Sequence, residues 1–220
     1  MYLHRRALTF ILLLCTSPIA PLFGTAALAE VTPRLNSDAI RERFGSYGVE
    51  VIEQEETTRA ANLFSIEAGE AICRTLAVTE FVLPTNEALL KSHQQIIAGG
   101  SIGATLRKAG FDINKKLLIK TEVPANAAFV ALSKGTVPTG TALYTKVYAL
   151  FAQSVATDTE QPRAIPYAVI AEAYHPEHFP PVHEEISEAP ELREAAQRVL
   201  EHLEQFSLKS ASASPTAQQN

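Results

Sequence analysis

Tyr167-Ala-Val-Ile-Ala-Glu-Ala-Tyr174 is the stretch that decides the fold. Read with a two-residue period, Ala168, Ile170, Glu172 and Tyr174 share one face, and Tyr167, Val169, Ala171 and Ala173 share the other. Both faces are apolar, so the segment reads as a strand covered on each side, with one carboxyl set among hydrocarbon. Burial alone would raise the pKa of Glu172, and a nearby cation would lower it. Outward from this strand, further strand patterns lie at 49–54 and 61–66, separated by the charged turn region Glu53–Arg59, and at 71–82, 117–123, 128–132 and 142–151.

Helical spacing is rarer. Ser37 precedes a short run from Asp38 to Phe44, which reads as an N-capped helix that stops near Gly45 and Gly48. Pro84 and Thr85 open a second helix, with Leu89, His93, Ile96 and Ile97 on one side and Gly99-Gly100 at its end. His93 on that apolar side reads as a satisfied core histidine. Ser101 caps a third helix that stops at Gly110. From Pro190, Leu192, Ala195, Val199, Leu203 and Phe206 recur at helical intervals, with His202 on the surface. Many strands, few helices and no alternation of the two favour an α+β fold with an antiparallel sheet.

The amino end has a different character. Arg5 and Arg6 precede the apolar run Ala7–Cys15, and Ala27-Leu28-Ala29 follows as a small-x-small site. That order predicts a secretory leader over 1–29 and an exported product, periplasmic or extracellular. The apolar run is too short for a membrane span. Removal of the leader discards Arg5, Arg6 and Cys15 and moves the net charge of the 220-residue chain from −5 to −7. An acidic chain is a poor nucleic-acid partner. The remaining Cys73 lies in an apolar stretch and reads as a core thiol. Residues 30–208 then form one α+β domain, and 209–220, rich in Ser, Ala and Gln, read as a disordered tail.

Three segments are candidates for chemistry. In Ile72-Cys-Arg-Thr-Leu-Ala-Val78, strand alternation sets Arg74 between Ile72 and Leu76. A guanidinium there must find an acid or a ligand anion. Glu172 is the second candidate, and a plain Arg74–Glu172 ion pair is the structural alternative to a site. The third is Gly99-Gly-Ser-Ile-Gly103, where glycines at a helix start let backbone N–H groups approach a ligand oxygen. His175, His178 and His183 stand with three carboxylates in a proline-rich stretch. It reads as a solvated loop, with metal binding as the weaker alternative. No cofactor motif is present, and no protein partner is indicated.

The order of Ser37–Phe44, Cys73-Arg-Thr75, Gly99–Leu106 and Val169–Pro176 resembles the chorismate pyruvate-lyase family, whose relatives include ligand-sensing domains of bacterial regulators. The resemblance covers about residues 36–180 and implies an antiparallel sheet with helices around an enclosed pocket. It implies that Arg74 binds a carboxylate, that Gly100, Ile102 and Gly103, together with Ser101, form the ligand turn, and that Glu172 is the lyase glutamate. Ser101 stands where the family has proline, and Ala171 where it has threonine. The expectation is an exported binding protein for a small carboxylate-bearing molecule, an aromatic acid being one option. The alternatives are an exported lyase with Glu172 as general acid, or a structural protein.

Overall fold

The computed structural model describes residues 35–84, 86–154, 164–178 and 186–208. The leader pattern, the 209–220 tail and His183 lie outside these. Six strands, β1 (Gly48–Gln54), β2 (Thr58–Glu67), β3 (Glu70–Phe81), β4 (Phe111–Pro124), β5 (Ala142–Ser154) and β6 (Ala164–Tyr174), form one sheet. Its order is β1-β2-β3-β6-β5-β4. Every neighbouring pair is antiparallel. The expected α+β class with an antiparallel sheet is therefore what the chain adopts. No helix of the described residues is long and apolar enough to cross a membrane.

From Ala168 onward, central β6 follows the alternating reading; Tyr167 departs from it, as the extra residue of a bulge against β5 that packs with Ala168 and Ile170 and not with Val169. Val169, Ala171 and Ala173 enter a core with Val147 of β5, Leu76 and Val78 of β3, and Val199 and Leu203 of α5 (Arg193–Gln205). Ala168 and Ile170 enter a second core on the opposite face. There they meet Leu89 and Ile96 of α2 (Glu87–Ile97) and Leu106 of α3 (Ile102–Lys108). The sheet is thus a middle layer with helices on both sides, and each side buries apolar surface. Cys73 is fully buried, and burial pushes its thiol pKa up, as suits a core residue.

Three further local expectations are corrected. Residues 128–132 are not a strand but part of the short helix α4 (Ala127–Leu132), because the Asn126 side chain accepts the Phe129 N–H and caps a run rich in alanine. The first helix, α1 (Asn36–Phe44), is capped at Leu35 rather than Ser37. The Asn36 side chain turns inward, donating to Thr75 Oγ1 at 3.1 Å and bonding His178 Nε2 at 2.7 Å. Third, Arg74 does not share a face with Leu76. Leu63 pairs with Thr75 and Phe64 with Cys73, so Arg74 is the extra residue of a β-bulge. The bulge lets Cys73 and Leu76 enter one core and turns Arg74 toward α1, its guanidinium 3.9 Å from the Phe44 ring centre.

Candidate functional site

On the α2–α3 side the sheet forms the floor of a cavity of about 90 Å³. One buried water needs ~10–15 Å³ on this measure, so the space suits a small molecule better than a lone solvent. Its apolar wall includes Leu63, Leu150, Ile170 and Ile102. Its polar groups are Asn36, Tyr47, Arg59, Thr79, Ser101, Lys115, Tyr148 and Glu172. The volume is shaped by close approaches around the Gly99–Gly103 turn. A Cβ on Gly100 would stand 2.8 Å from the Gln95 carbonyl oxygen, and one on Gly103 would stand 3.0 Å from Leu35.

Glu172 lies where strand alternation sets it, in the cavity and only 4% exposed. Its two oxygens are each held by a phenol: Tyr148 donates to Oε1 at 3.0 Å, and Tyr174 donates to Oε2. Buried polar atoms need such partners, and two of them fix the carboxyl in one orientation. Ser101, Ile102 and Gly103 also line the cavity. Gly100 is engaged differently from the expectation. Its N–H goes to the Gln95 carbonyl at 3.0 Å, closing the end of α2, and its own carbonyl accepts from Arg59.

Arg74 is not among the cavity-lining residues. Its Nε donates to Ser65 Oγ at 2.8 Å, its Nη1 meets Glu177 at 3.1 Å, and its Nη2 meets Glu67. The structure therefore does not bring Arg74 and Glu172 together, and no Arg74–Glu172 ion pair exists among the described residues.

The histidines also depart from a solvated loop. His175 and His178 are both buried, His178 against Asn36 and Phe44 of α1 and His175 beside Thr136. His175 Nε2 bonds Thr136 Oγ1 at 3.1 Å, and His178 packs its ring on Phe44 and Tyr174. Burial lowers the pKa of both, to about 4 for His178, with Arg43, Arg74 and His175 adding to the effect and Glu172 opposing it. No cluster of three or more metal-ligating side chains occurs among the described residues. His93 is a core histidine as expected: its Nδ1 lies 3.0 Å from the Tyr167 hydroxyl, and its ring meets Phe81 edge-on.

The residue that sequence reading missed is Arg59. It lies in the charged 53–59 stretch, which reads as a turn, yet β2 begins at Thr58 and Arg59 is its first inward side chain. It is 2% exposed and lines the cavity with Ala61 and Leu63 of the same strand. Nη1 donates to the Gly100 carbonyl at 2.8 Å and to the Ile96 carbonyl at 3.3 Å. Nε is buried without a hydrogen-bond partner. Among the described residues no carboxylate pairs with it. Burial pushes its guanidinium pKa down, with the phenols of Tyr47 and Tyr167 acting against that shift. Extending the alternation of Ala61 and Leu63 back by one step would have found it. Tyr47 stands nearby, its own pKa raised by burial and eased by a hydrogen bond to Ser101.

No family model matches the chain, and no curated protein matches it.

Proposed function

We propose that the chain is an exported binding protein whose cavity encloses a small, carboxylate-bearing aromatic molecule. The observation that carries this reading is Arg59, a buried guanidinium at a cavity wall with its Nε unpartnered and no carboxylate paired to it among the described residues. A buried charge left with carbonyl partners alone is costly, and a ligand carboxylate offers the two acceptor oxygens that a guanidinium fork matches. Leu63, Leu150 and Ile170 give a ring an apolar bed, and the Ser101 hydroxyl is a further polar contact. Export rests on the basic, apolar and small-residue order of positions 5–29.

A lyase would require Glu172 to hold a proton and release it to substrate. Both its oxygens instead accept phenol hydrogen bonds, which suits a fixed acceptor in a binding site. The test is thermal stabilisation by benzoate against its neutral counterpart benzamide, on the wild type and on Arg59→Met. The proposal expects benzoate near 100 times its Kd to add about 2.7 kcal/mol of stability to the wild type. It expects benzamide to add little, and Arg59→Met to lose the benzoate effect. Equal stabilisation by the two compounds, or by benzoate in both proteins, would overturn it.

A further inference from the structure

The cavity holds a second cation, which the single-carboxylate reading leaves without a role. Lys115 lines it from β4, the opposite edge of the sheet from Arg59's side. Its ammonium rests 4.2 Å from the ring centre of Tyr148, whose hydroxyl holds Glu172. Lys115 is half-buried, and the attraction of its ammonium to the ring favours this placement in the cavity.

Strand register sets where the two cations stand. Arg59 pairs with Thr79, Thr79 with Ile170, and Ile170 with Tyr148, which in turn pairs with Leu117. Lys115, two residues before Leu117, pairs with Leu150. Arg59 and Lys115 thus bracket one cross-strand row, and four strand steps of ~4.8 Å separate their backbones by about 19 Å. Both long side chains line the same cavity between those strands. The row between them is Thr79, Ile170 and Tyr148, with Ala77 and Leu150 lining the cavity on either side of it. Glu172, set beside this row, is the single carboxylate lining the cavity among the described residues, and the two phenols engage it. The cavity is therefore lined by a cation toward each side, with Ile170 and the Tyr148 ring between them and the phenol-held Glu172 beside.

Resting on the carboxylate reading of the cavity, we infer that its ligand is an elongated dianion lying across the strands, one acidic group at Arg59 and the other at Lys115. Lys115 is the residue that discriminates such a ligand from a compact monoacid. A monoacid fills the Arg59 end only, whereas a rigid diacid engages both charges without an added cost in ligand flexibility.

The experiment compares benzoate with two rigid diacids of increasing length, terephthalate and naphthalene-2,6-dicarboxylate, by calorimetric titration. The proteins are the wild type, Lys115→Met and, as a control for charge and folding, Lys116→Met, whose ammonium packs on Phe151. At least one diacid should bind the wild type and Lys116→Met about tenfold or more tighter than benzoate, as one charge-assisted contact gives. In Lys115→Met that ratio should fall to near one. If benzoate binds the wild type through Arg59 but neither diacid exceeds it, the inference is wrong while the carboxylate reading stands. A diacid advantage that persists in Lys115→Met overturns it equally. If none of the three acids binds, the carboxylate reading itself fails, and the inference with it.

Discussion

Arg59 and Arg74 are both buried, on adjacent strands, and their surroundings are opposite. Arg74 has Glu67, Glu177, the Ser65 hydroxyl and the Phe44 ring around it, so its charge is neutralised within the protein. Arg59 has two backbone carbonyls and an idle Nε. The first reads as structure, and the second, with no carboxylate partner among the described residues, is the one the proposed function assigns to a ligand. The comparison shows that a buried arginine is informative through its partners, since burial alone does not separate the two roles.

The comparison can be broken at several points. The largest stability effect should come from Arg74→Met, which strands two carboxylates and empties the contact with Phe44. A loss of about 2–4 kcal/mol in urea unfolding is expected. A loss under half a kcal/mol would mean that Arg74 is not a structural charge. Acid should act on the same region through His178. Its folded pKa of about 4 lies below the 6.5 of an unfolded histidine. The unfolded chain therefore binds the extra proton first, and stability falls as pH drops from about 6.5 to about 4. Thermal melts across that window should show a decline that His178→Gln reduces. An unchanged slope in the variant would assign the decline to other groups.

Smaller effects sharpen the contrast. Glu67 is nearly half exposed and Glu177 about two-thirds, and either can hold Arg74 while the other is neutral. Glu67→Gln and Glu177→Gln should each cost under about 1 kcal/mol, and the double variant more than their sum. Strict additivity would show that the two carboxylates act separately. The smallest change is expected at Arg59 itself. Arg59→Met exchanges two carbonyl hydrogen bonds for relief of an unpaired buried charge, so stability should stay within about 1 kcal/mol of wild type. A large loss would make Arg59 a structural residue like its neighbour.

Much of this was legible in the chain. The period-two pattern of β6 places Glu172 correctly, because the register runs without a break from Ala168 to Tyr174; it fails at Tyr167, where a bulge against β5 turns the ring to the face of Ala168 and Ile170. The same rule misplaces Arg74, since a bulge is a property of two strands in register and one strand's pattern does not reveal it. Arg59 was hidden by its neighbours: Glu53, Glu55 and Glu56 give the segment the composition of a turn, and the strand starts only at Thr58. The 128–132 run misleads because a short apolar stretch suits a strand or a buried helix equally, and the Asn126 cap decides it. His175 and His178 read as solvated beside Pro176 and Glu177, yet His178 packs on Phe44 and Tyr174 and His175 on Thr136, and both are buried.

The central claim is that Arg59, and not Arg74, receives the ligand's carboxylate. Calorimetric titration of benzoate into the wild type, Arg59→Met and Arg74→Met, under conditions where all three are folded, tests it directly. The account predicts a Kd raised about 10- to 100-fold by Arg59→Met, the worth of a charge-assisted hydrogen bond, and less than about threefold by Arg74→Met. The reverse order, with affinity lost at Arg74 and retained at Arg59, would contradict it.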